Sequence, residues 1–305
     1  MHDVSNGTQA SDVSEQESPE APAPFTDRIS DALQAGIKAV IGSNRKPPRR
    51  FQTLLNGTWL GHPLHPAITD VPIGAWLLAA IFDVVWLISP SANDWAARGA
   101  EAAVLIGILA AVGAALTGMA DWSHTYGAER TSGLYHALLN VVALVLYIIS
   151  FVVRLGVGTG ESVVAAVLGF IAVVVVLLAA YFGGDMVFGK GTGVDHTAWT
   201  EGSHEFVPVL PVAEMPENTL RRVEVAGVPV VLLKLKGKYS AIAATCTHAG
   251  GPLDEGTLQG DVVECPWHGS RFRMSDGKAL TGPATFSQPR YDVQVRDGMI
   301  HLKQA

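Results

Sequence analysis

The sequence predicts a multi-domain chain in which an all-α bundle of four transmembrane helices precedes an all-β domain. Hydrophobic residues make up 49% of its 305 positions and charged residues 16%, and the mean hydropathy is +0.28. This composition is typical of a chain with a membrane part. Long apolar runs fill the middle of the chain, whereas the last third alternates β-branched residues between turn signals. The net charge of -7 gives no basic surface for phosphates, so no nucleic acid is expected as a partner.

Residues 1–25 are predicted to be a disordered tail. They contain five acidic residues, no Lys or Arg and almost no apolar side chains. Such a segment cannot bury enough surface to offset the entropy of ordering. It also lacks the basic and apolar regions of a secretion signal.

Residues 26–50 are predicted to form an amphipathic, basic juxtamembrane segment. Five apolar residues recur there at helical spacing: Ile29, Leu33, Ile37, Val40 and Ile41. The pattern is typical of a helix on a membrane surface and equally of a helix packed on protein. The sequence leaves both alternatives open.

Residues 51–195 are predicted to be a four-span membrane domain. Apolar runs long enough to cross the hydrocarbon core as helices lie at residues 67–88, 99–119, 133–153 and 162–183. Asp70, Asp83 and Glu101 should face the bundle interior or lie near an interface, because a charge facing lipid is costly. No internal repeat is apparent among these runs.

The charge distribution predicts that both chain termini are cytoplasmic in a bacterial cell membrane. Four crossings place both termini on one side, and near the spans this side carries eight basic residues. The other side has only Arg98 and Arg154, so the positive-inside rule assigns the shared side to the cytoplasm. The alternative is export by a twin-arginine signal at Arg49 and Arg50.

Residues 200–305 are predicted to form a small antiparallel β domain. Runs of β-branched residues are separated there by turn signals at Ala226 and Gly227, at Gly237 and Lys238, and at Asp297 and Gly298.

Each of the two cysteines in the chain has a histidine close by. The pattern is Cys246-x-His248, then 16 residues, then Cys265-x-x-His268. Zinc accepts two sulfur and two nitrogen ligands, but common zinc fingers place the two cysteines together and the two histidines together. A two-iron, two-sulfur cluster explains two parallel loops, because the cysteines bind one iron and the histidines the other.

This arrangement resembles the Rieske family, and the resemblance covers roughly residues 206–303. It implies a β-sandwich with two loops at one end that hold a 2Fe-2S cluster through Cys246, His248, Cys265 and His268. The resemblance also implies a third loop over the cluster, which contains Pro283 in the stretch TGPAT.

The chain departs from the respiratory, quinol-oxidising branch of that family. That branch has an additional cysteine in each loop, whereas this sequence has Gly250 or Gly251 and Trp267 in those places. The second loop therefore resembles the ferredoxin-type branch. In high-potential members, a serine placed like Ser270 donates to a bridging sulfide and a tyrosine donates to a cysteine sulfur, but here Phe272 takes the tyrosine's place.

A second group of polar residues maps to the cytoplasmic ends of the predicted spans: His62, His65, Asp70, Asp121, His124, His136 and Asp185. The stretch GHPLHP resembles the HPLHP signature of a family of bacterial four-helix membrane domains, which implies a fold only. One hypothesis is a haem or metal site that uses His65 and His136, since bundles hold cofactors with imidazoles from facing helices. The alternative is that these groups cap helices and stay hydrated.

The sequence favours a membrane-anchored one-electron carrier over a catalyst, and no catalytic residue is assigned. The expected partners are a redox protein or a quinone, together with membrane lipid. The alternatives are a quinol- or haem-linked oxidoreductase and a redox sensor. A terminal oxygenase is disfavoured because only His301 follows His268, which leaves no two-histidine, one-carboxylate iron site.

Overall fold

The computed structural model describes residues 25–42 and 50–305. In this part of the chain six α-helices come first: α1 Phe25–Ile41, α2 Arg50–Asn56, α3 Leu64–Ile88, α4 Asp94–Trp122, α5 Gly127–Val157 and α6 Val163–Gly184. Within the described ranges, α3, α4, α5 and α6 are long and apolar enough to cross a membrane. The predicted all-helical part with four long apolar helices is therefore confirmed. The predicted tail lies outside the described residues up to position 24, as does the basic stretch 43–49.

The four long helices extend beyond the apolar runs because polar residues continue them at their ends. Helix α4 begins at Asp94, and the first turn of α5 contains Glu129. Helix α6 begins where the Ser162 hydroxyl accepts a hydrogen bond from the Ala165 N–H, at 3.2 Å. Such capping satisfies an N–H group that has no partner inside the helix.

The bundle is built from two similar helical hairpins, α3 with α4 and α5 with α6. Three pairs of residues, each 71 positions apart, meet between α3 and α5. The rings of His65 and His136 lie 6.2 Å apart, those of Trp76 and Tyr147 stack at 4.2 Å, and Arg154 binds Asp83 at 2.6 Å. The equal spacing of these pairs indicates that the two hairpins are related by an internal repeat, which does not stand out in the sequence. The repeat escapes notice because the paired residues differ in type, as in Trp with Tyr and Asp with Arg.

The ion pair between Asp83 and Arg154 lowers the number of free basic residues on the membrane side opposite the chain termini. Both side chains are buried, and Arg154 also donates to the Gly160 carbonyl at 3.2 Å. Asp83 faces the bundle interior, as expected. Arg154 is therefore not a free charge at the membrane surface, and of the two basic residues predicted on that side only Arg98 remains.

Helix α1 turns its polar face toward the protein. The Gln34 amide donates to the carbonyls of Trp122 and Thr125, and Arg130 pairs with Asp27 and Asp31. The apolar stripe is divided: Leu33 and Val40 are exposed, Val40 to 84%, whereas Ile41 is buried in a cluster with Leu55 and Ala120. Helix α1 therefore packs on the protein, and its exposed apolar residues remain available to a membrane surface.

Ten strands form the C-terminal domain: β1 Val207–Pro211, β2 Leu220–Val225, β3 Val228–Leu235, β4 Lys238–Ala243, β5 Thr257–Gln259, β6 Val262–Glu264, β7 Arg271–Arg273, β8 Ala279–Thr281, β9 Arg290–Arg296 and β10 Met299–Gln304. They make a six-stranded sheet in the order β1-β10-β9-β4-β3-β2 and a four-stranded sheet in the order β5-β6-β7-β8. All recorded strand pairs are antiparallel, so the predicted all-β sandwich is confirmed.

The hairpin turns lie where the sequence predicts them, with one shift. Ala226 with Gly227 and Asp297 with Gly298 adopt positive φ angles, as a tight two-residue turn requires. The predicted turn at Gly237 and Lys238 is wrong by one residue, because Leu235 pairs with Lys238 and leaves residues 236 and 237 as the turn.

Candidate metal centre

Two loops with the same backbone turn present the predicted ligands. The first follows β4, and in it the Cys246 N–H donates to the Gly251 carbonyl while the Gly250 N–H donates to the Cys246 carbonyl. The second follows β6 and repeats both bonds four and five residues after Cys265. Gly250 and Gly269 close the two turns with φ angles of 79° and 76°, which favour glycine. The duplicated turn explains why each cysteine has its own histidine.

The two cysteines converge at the base of these loops. Cys246 is 1% exposed and Cys265 3%, and both belong to an apolar core that includes Leu253 and Phe272. A hydrogen bond with the Cys265 thiol, followed by burial, raises the pKa of the Cys246 thiol well above its usual value. Metal binding would offset this, because a cation stabilises the thiolates that bind it.

The two histidines lie above the cysteines, with ring centres 4.9 Å apart. The Nδ1 atom of His248 is buried without a hydrogen-bond partner. Burial, reinforced by His268, lowers the pKa of His248 well below its usual value. The neutral ring therefore has a nitrogen available to a metal.

The third loop, residues 282–289, is tied to both ligand loops. The Ser270 hydroxyl accepts a hydrogen bond from the Ala284 N–H at 3.0 Å, and the Thr247 hydroxyl donates to the Phe286 carbonyl at 2.9 Å. These bonds hold Pro283 and its neighbours over the ligand loops, as the resemblance to the Rieske family implies.

The space between the loops suits a compact inorganic group held by two pairs of ligands. A Cβ atom added to Gly251 would lie 2.8 Å from the Cys265 sulfur and 3.1 Å from the Trp267 ring, so only glycine fits there. Among the residues that the structure describes, no three His, Cys, Asp or Glu side chains are grouped to hold a single ion. A 2Fe-2S cluster needs no such group, since it takes two protein ligands at each iron.

Comparison with known proteins agrees with this geometry. Residues 205–292 match the family model described as Rieske [2Fe-2S] domain. Ferredoxin CarAc from Metapseudomonas resinovorans is 34% identical over 98 residues, which are 32% of this chain and 92% of that protein. The chain belongs to the Rieske family. A second Rieske relative, the 3-phenylpropionate/cinnamic acid dioxygenase ferredoxin subunit of Escherichia coli (strain K12), is 38% identical over 93 residues, which are 30% of this chain and 87% of that protein.

A solved structure also matches the Rieske domain, and a second family model matches the helical part of the chain. A chain in the complex of reduced oxygenase and oxidized ferredoxin of carbazole 1,9a-dioxygenase is 31% identical, with a TM-score of 0.32 over 34% of this chain and 98% of that chain. Residues 61–196 match the family model described as Predicted membrane protein (DUF2231). The protein thus joins a membrane-type domain to a Rieske electron-transfer domain, whose cofactor is a Rieske-type 2Fe-2S cluster.

The membrane domain packs against the cluster end of the Rieske domain. The His268 ring stacks on Tyr126 at 5.9 Å and lies edge-on to His124 at 6.3 Å. Beside it is a cavity of about 380 Å³ lined by Lys38, Ser123, His124, Thr125, Tyr126, Trp267 and His268. No sequence pattern marks Tyr126 as a site residue, because only the docking of the domains places it beside His268.

The other two loops also touch the membrane domain. The Thr58 hydroxyl donates to the Ala284 carbonyl at 2.9 Å, and the His62 ring meets Phe286 edge-on at 6.4 Å. The His196 N–H donates to the Thr247 carbonyl at 3.1 Å. All three loops of the cluster end therefore contact the membrane domain or the segment that directly follows it.

The polar residues predicted at the ends of the spans do not form one site. His124 contacts the cluster end, whereas Asp121 accepts a hydrogen bond from Asn56 at 2.7 Å. Asp185 pairs with Lys190, and Asp70 is exposed. His65 and His136 form a separate pair within the bundle.

Proposed function

We propose that this protein is a membrane-anchored one-electron carrier whose cluster ligands are Cys246, His248, Cys265 and His268. The observation that carries the proposal is the duplicated loop turn, which brings two buried thiols and two imidazoles to one end of the Rieske sandwich. The proposed boundaries are residues 200–305 for the Rieske domain and 51–195 for the membrane domain.

The chain's own residues would hold the cluster, tune it and shield it. When bound, the cluster takes up and releases one electron at a time. The thiols of Cys246 and Cys265 lie in an apolar core that excludes water from their side of the site. The third loop covers the ligand loops, and His268 faces the membrane domain.

The partner is proposed to be a redox protein. Two matched relatives are named as a ferredoxin and as a dioxygenase ferredoxin subunit. This chain has Gly250 or Gly251 and Trp267 in place of the extra cysteines of the respiratory branch, in which it resembles the ferredoxin-type branch. Trp267 is 47% exposed beside His268 and offers a contact surface for such a partner. We further propose that the Rieske domain is cytoplasmic and that α1 contacts lipid. The GHPLHP stretch is proposed to mark the membrane domain as a member of the bacterial four-helix family that it resembles.

The cavity beside His268 favours a second candidate, a quinone-linked oxidoreductase. It lies where the membrane domain meets the cluster end, and its lining combines aromatic rings with hydrogen-bonding groups. Pockets of 300–1,000 Å³ with this mixture are typical small-molecule sites.

Metal and sulfide analysis of the full-length protein tests the primary proposal. We expect about two iron and two acid-labile sulfide per chain, as the 2Fe-2S composition requires. Cys246→Ser or His268→Gln should lose both, whereas His204→Gln, at an exposed position, should keep both. Zinc without sulfide from a host competent in cluster assembly would contradict the proposal. Faster cluster reduction by a quinol than by a reduced redox protein would favour the second candidate.

A further inference from the structure

Two histidines meet inside the membrane domain, away from the cluster ligands. His65 is the second residue of α3 and His136 lies in the third turn of α5, so they come from different hairpins. Their ring centres are 6.2 Å apart and the ring planes are nearly perpendicular, at 89°. This pair is the first of the three matched pairs between the hairpins.

Each ring is held in the same way by the second helix of its own hairpin. The Nδ1 atom of His65 is 2.8 Å from the Ala114 carbonyl oxygen, and that of His136 is 2.9 Å from the Ala179 carbonyl oxygen. A carbonyl oxygen only accepts, so each Nδ1 carries the proton and each Nε2 presents a lone pair. Metal-binding histidines are typically oriented by such a bond from their other nitrogen.

Each ring also lies over a glycine, one turn after the carbonyl that it contacts. A Cβ atom added to Gly118 would be 2.8 Å from Cε1 of His65, and one added to Gly183 would be 3.1 Å from Cε1 of His136. The two glycines are 65 positions apart, as are the two carbonyl groups. Both hairpins therefore repeat the whole arrangement of ring, carbonyl and glycine.

Two imidazoles that both present lone pairs cannot hydrogen-bond to each other through those atoms. The Asn140 amide lies 3.2 Å from Nε2 of His136 and can supply one hydrogen bond from within α5. A metal ion can accept an electron pair from the Nε2 atom of each ring and so bind both rings at once. Imidazole nitrogen is a good ligand for iron, copper, zinc and nickel.

We propose that His65 and His136 together bind a transition-metal ion, either haem iron or a bare ion. Two imidazoles that share one metal at the usual bond length of about 2.0 Å have ring centres roughly 6 Å apart when they lie opposite each other, which agrees with the observed 6.2 Å. Haem nitrogens or water would fill the other coordination positions. This centre is additional to the 2Fe-2S cluster.

The site lies on the half of the membrane domain that faces the Rieske domain. The His65 ring contacts the position of Gly118 on α4, and His124 follows six residues later along the chain. The part of this segment up to Trp122 is helical and rises about 6 Å, and His124 lies in the turn that follows. His124 in turn contacts His268, so the pair lies on the membrane-domain side of the cluster.

Metal analysis of full-length protein in detergent tests the inference without relying on the cluster. In a Cys246→Ser/Cys265→Ser variant, which should lack the cluster, we expect about one bound metal per chain after reconstitution with haemin, Cu(II), Zn(II) or Fe(II). His65→Gln and His136→Gln should each lower the occupancy at least tenfold. The matched control His204→Gln, at an exposed position, should leave it unchanged.

The probes distinguish the two sources of metal. A Soret band with stoichiometric haem supports haem iron, and stoichiometric metal without that band supports a bare ion. No retention of any of the four probes above the level of a His65→Gln/His136→Gln variant would overturn the proposal. Sulfide content in the single variants with intact cysteines should stay at the wild-type level, which separates this site from the cluster.

Glycine variants test the site if the histidine variants fold poorly. Gly118→Ala would place a methyl group against the His65 ring and should lower metal occupancy several-fold. Gly74→Ala on α3 is the control, because no atom lies within 4 Å of its added Cβ. Equal occupancy in these two variants, at wild-type thermal stability, would also overturn the proposal.

Discussion

Ser270 connects two of the three loops at the cluster end. Its side chain is fully buried, and its hydroxyl oxygen already accepts the Ala284 N–H. Its hydroxyl proton remains available to an acceptor on the cluster side, as the resemblance to high-potential Rieske proteins implies. A donor there stabilises the reduced, more negative cluster.

We expect Ser270→Ala to lower the reduction potential by tens of millivolts. A hydrogen bond to a charged group contributes roughly 1.5–3 kcal/mol, or about 65–130 mV for one electron if it acts on one redox state alone. Protein-film voltammetry would measure the change. Thr247→Val is the control, because it removes the other bond to the third loop, at Phe286, without removing Ser270. An equal fall in both variants would assign the effect to loop loosening.

Phe272 lies in the packed core beside both cysteines and is fully buried. We expect Phe272→Tyr to raise the reduction potential by tens of millivolts, because its new hydroxyl should donate a hydrogen bond to a cysteine sulfur. The same change should lower the free energy of unfolding by about 1–3 kcal/mol, because the core has no spare volume. Voltammetry and thermal unfolding would check the two effects, and an unchanged potential would rule out the donor.

Among the secondary-structure elements, α4 packs on α5 and α3 packs on α6 where the two hairpins meet, and side chains of α3 and α5 form a seam between them. The stacked rings of Trp76 and Tyr147 and the ion pair of Asp83 with Arg154 lie along this seam. The ion pair is fully buried, so each charge depends on the other for compensation.

Removing one member of this pair should destabilise the bundle strongly. We expect Asp83→Ala to cost about 3–5 kcal/mol, because it leaves the Arg154 guanidinium buried without a counter-charge. The double variant Asp83→Leu/Arg154→Met should recover most of that loss, since it removes both charges. Thermal unfolding in detergent would measure both. A double variant as unstable as Asp83→Ala would show that the ion pair is not the cause.

For the whole molecule, the main feature is the docking of the Rieske domain on the membrane domain. Asn56 and Thr58 of the membrane domain approach Gly282 of the third loop, while Tyr126 covers His268. A soluble partner that reaches the cluster must therefore approach beside Trp267 or displace the membrane domain.

A disulfide between the domains should form after a shift of only a few tenths of an ångström. A Cβ atom added to Gly282 lies 3.2 Å from the Asn56 Cβ, close to the range of about 3.5–4.5 Å found in disulfides. Asn56→Cys/Gly282→Cys should cross-link under mild oxidation, as detected by peptide mass mapping. The control Asn56→Cys/Gly298→Cys should not, because Gly298 has no neighbour within 4 Å. Equal cross-linking of both pairs would argue against the docked arrangement.

The orientation in the membrane is a separate prediction for the whole molecule. The excess of basic residues on the terminal side predicts a cytoplasmic Rieske domain. A reporter active only in the cytoplasm should work when fused after Ala305 and fail when fused after Ser91, in the turn between α3 and α4. The opposite result would support export through Arg49 and Arg50.

The helices, the strands and the ligand motifs of this protein can be predicted from its sequence alone. Apolar runs predicted the four spans, because crossing a bilayer requires many consecutive apolar residues. Alternating β-branched residues predicted an antiparallel β domain, with one turn displaced to residues 236 and 237, and the resemblance to the Rieske family implied that this domain is a sandwich. The paired Cys–His motifs, such as Cys246 with His248, pointed to the cluster because ligand type and spacing are properties of the chain itself.

The contacts between distant segments were decided only by the tertiary structure. Tyr126 and His268 are far apart in the sequence, and no local pattern indicates that their rings stack. The match of Asp83 with Arg154 is also invisible in the sequence, because complementary partners need not resemble each other. Such contacts depend on how whole surfaces fit together, whereas helices and strands depend on the periodicity of neighbouring residues.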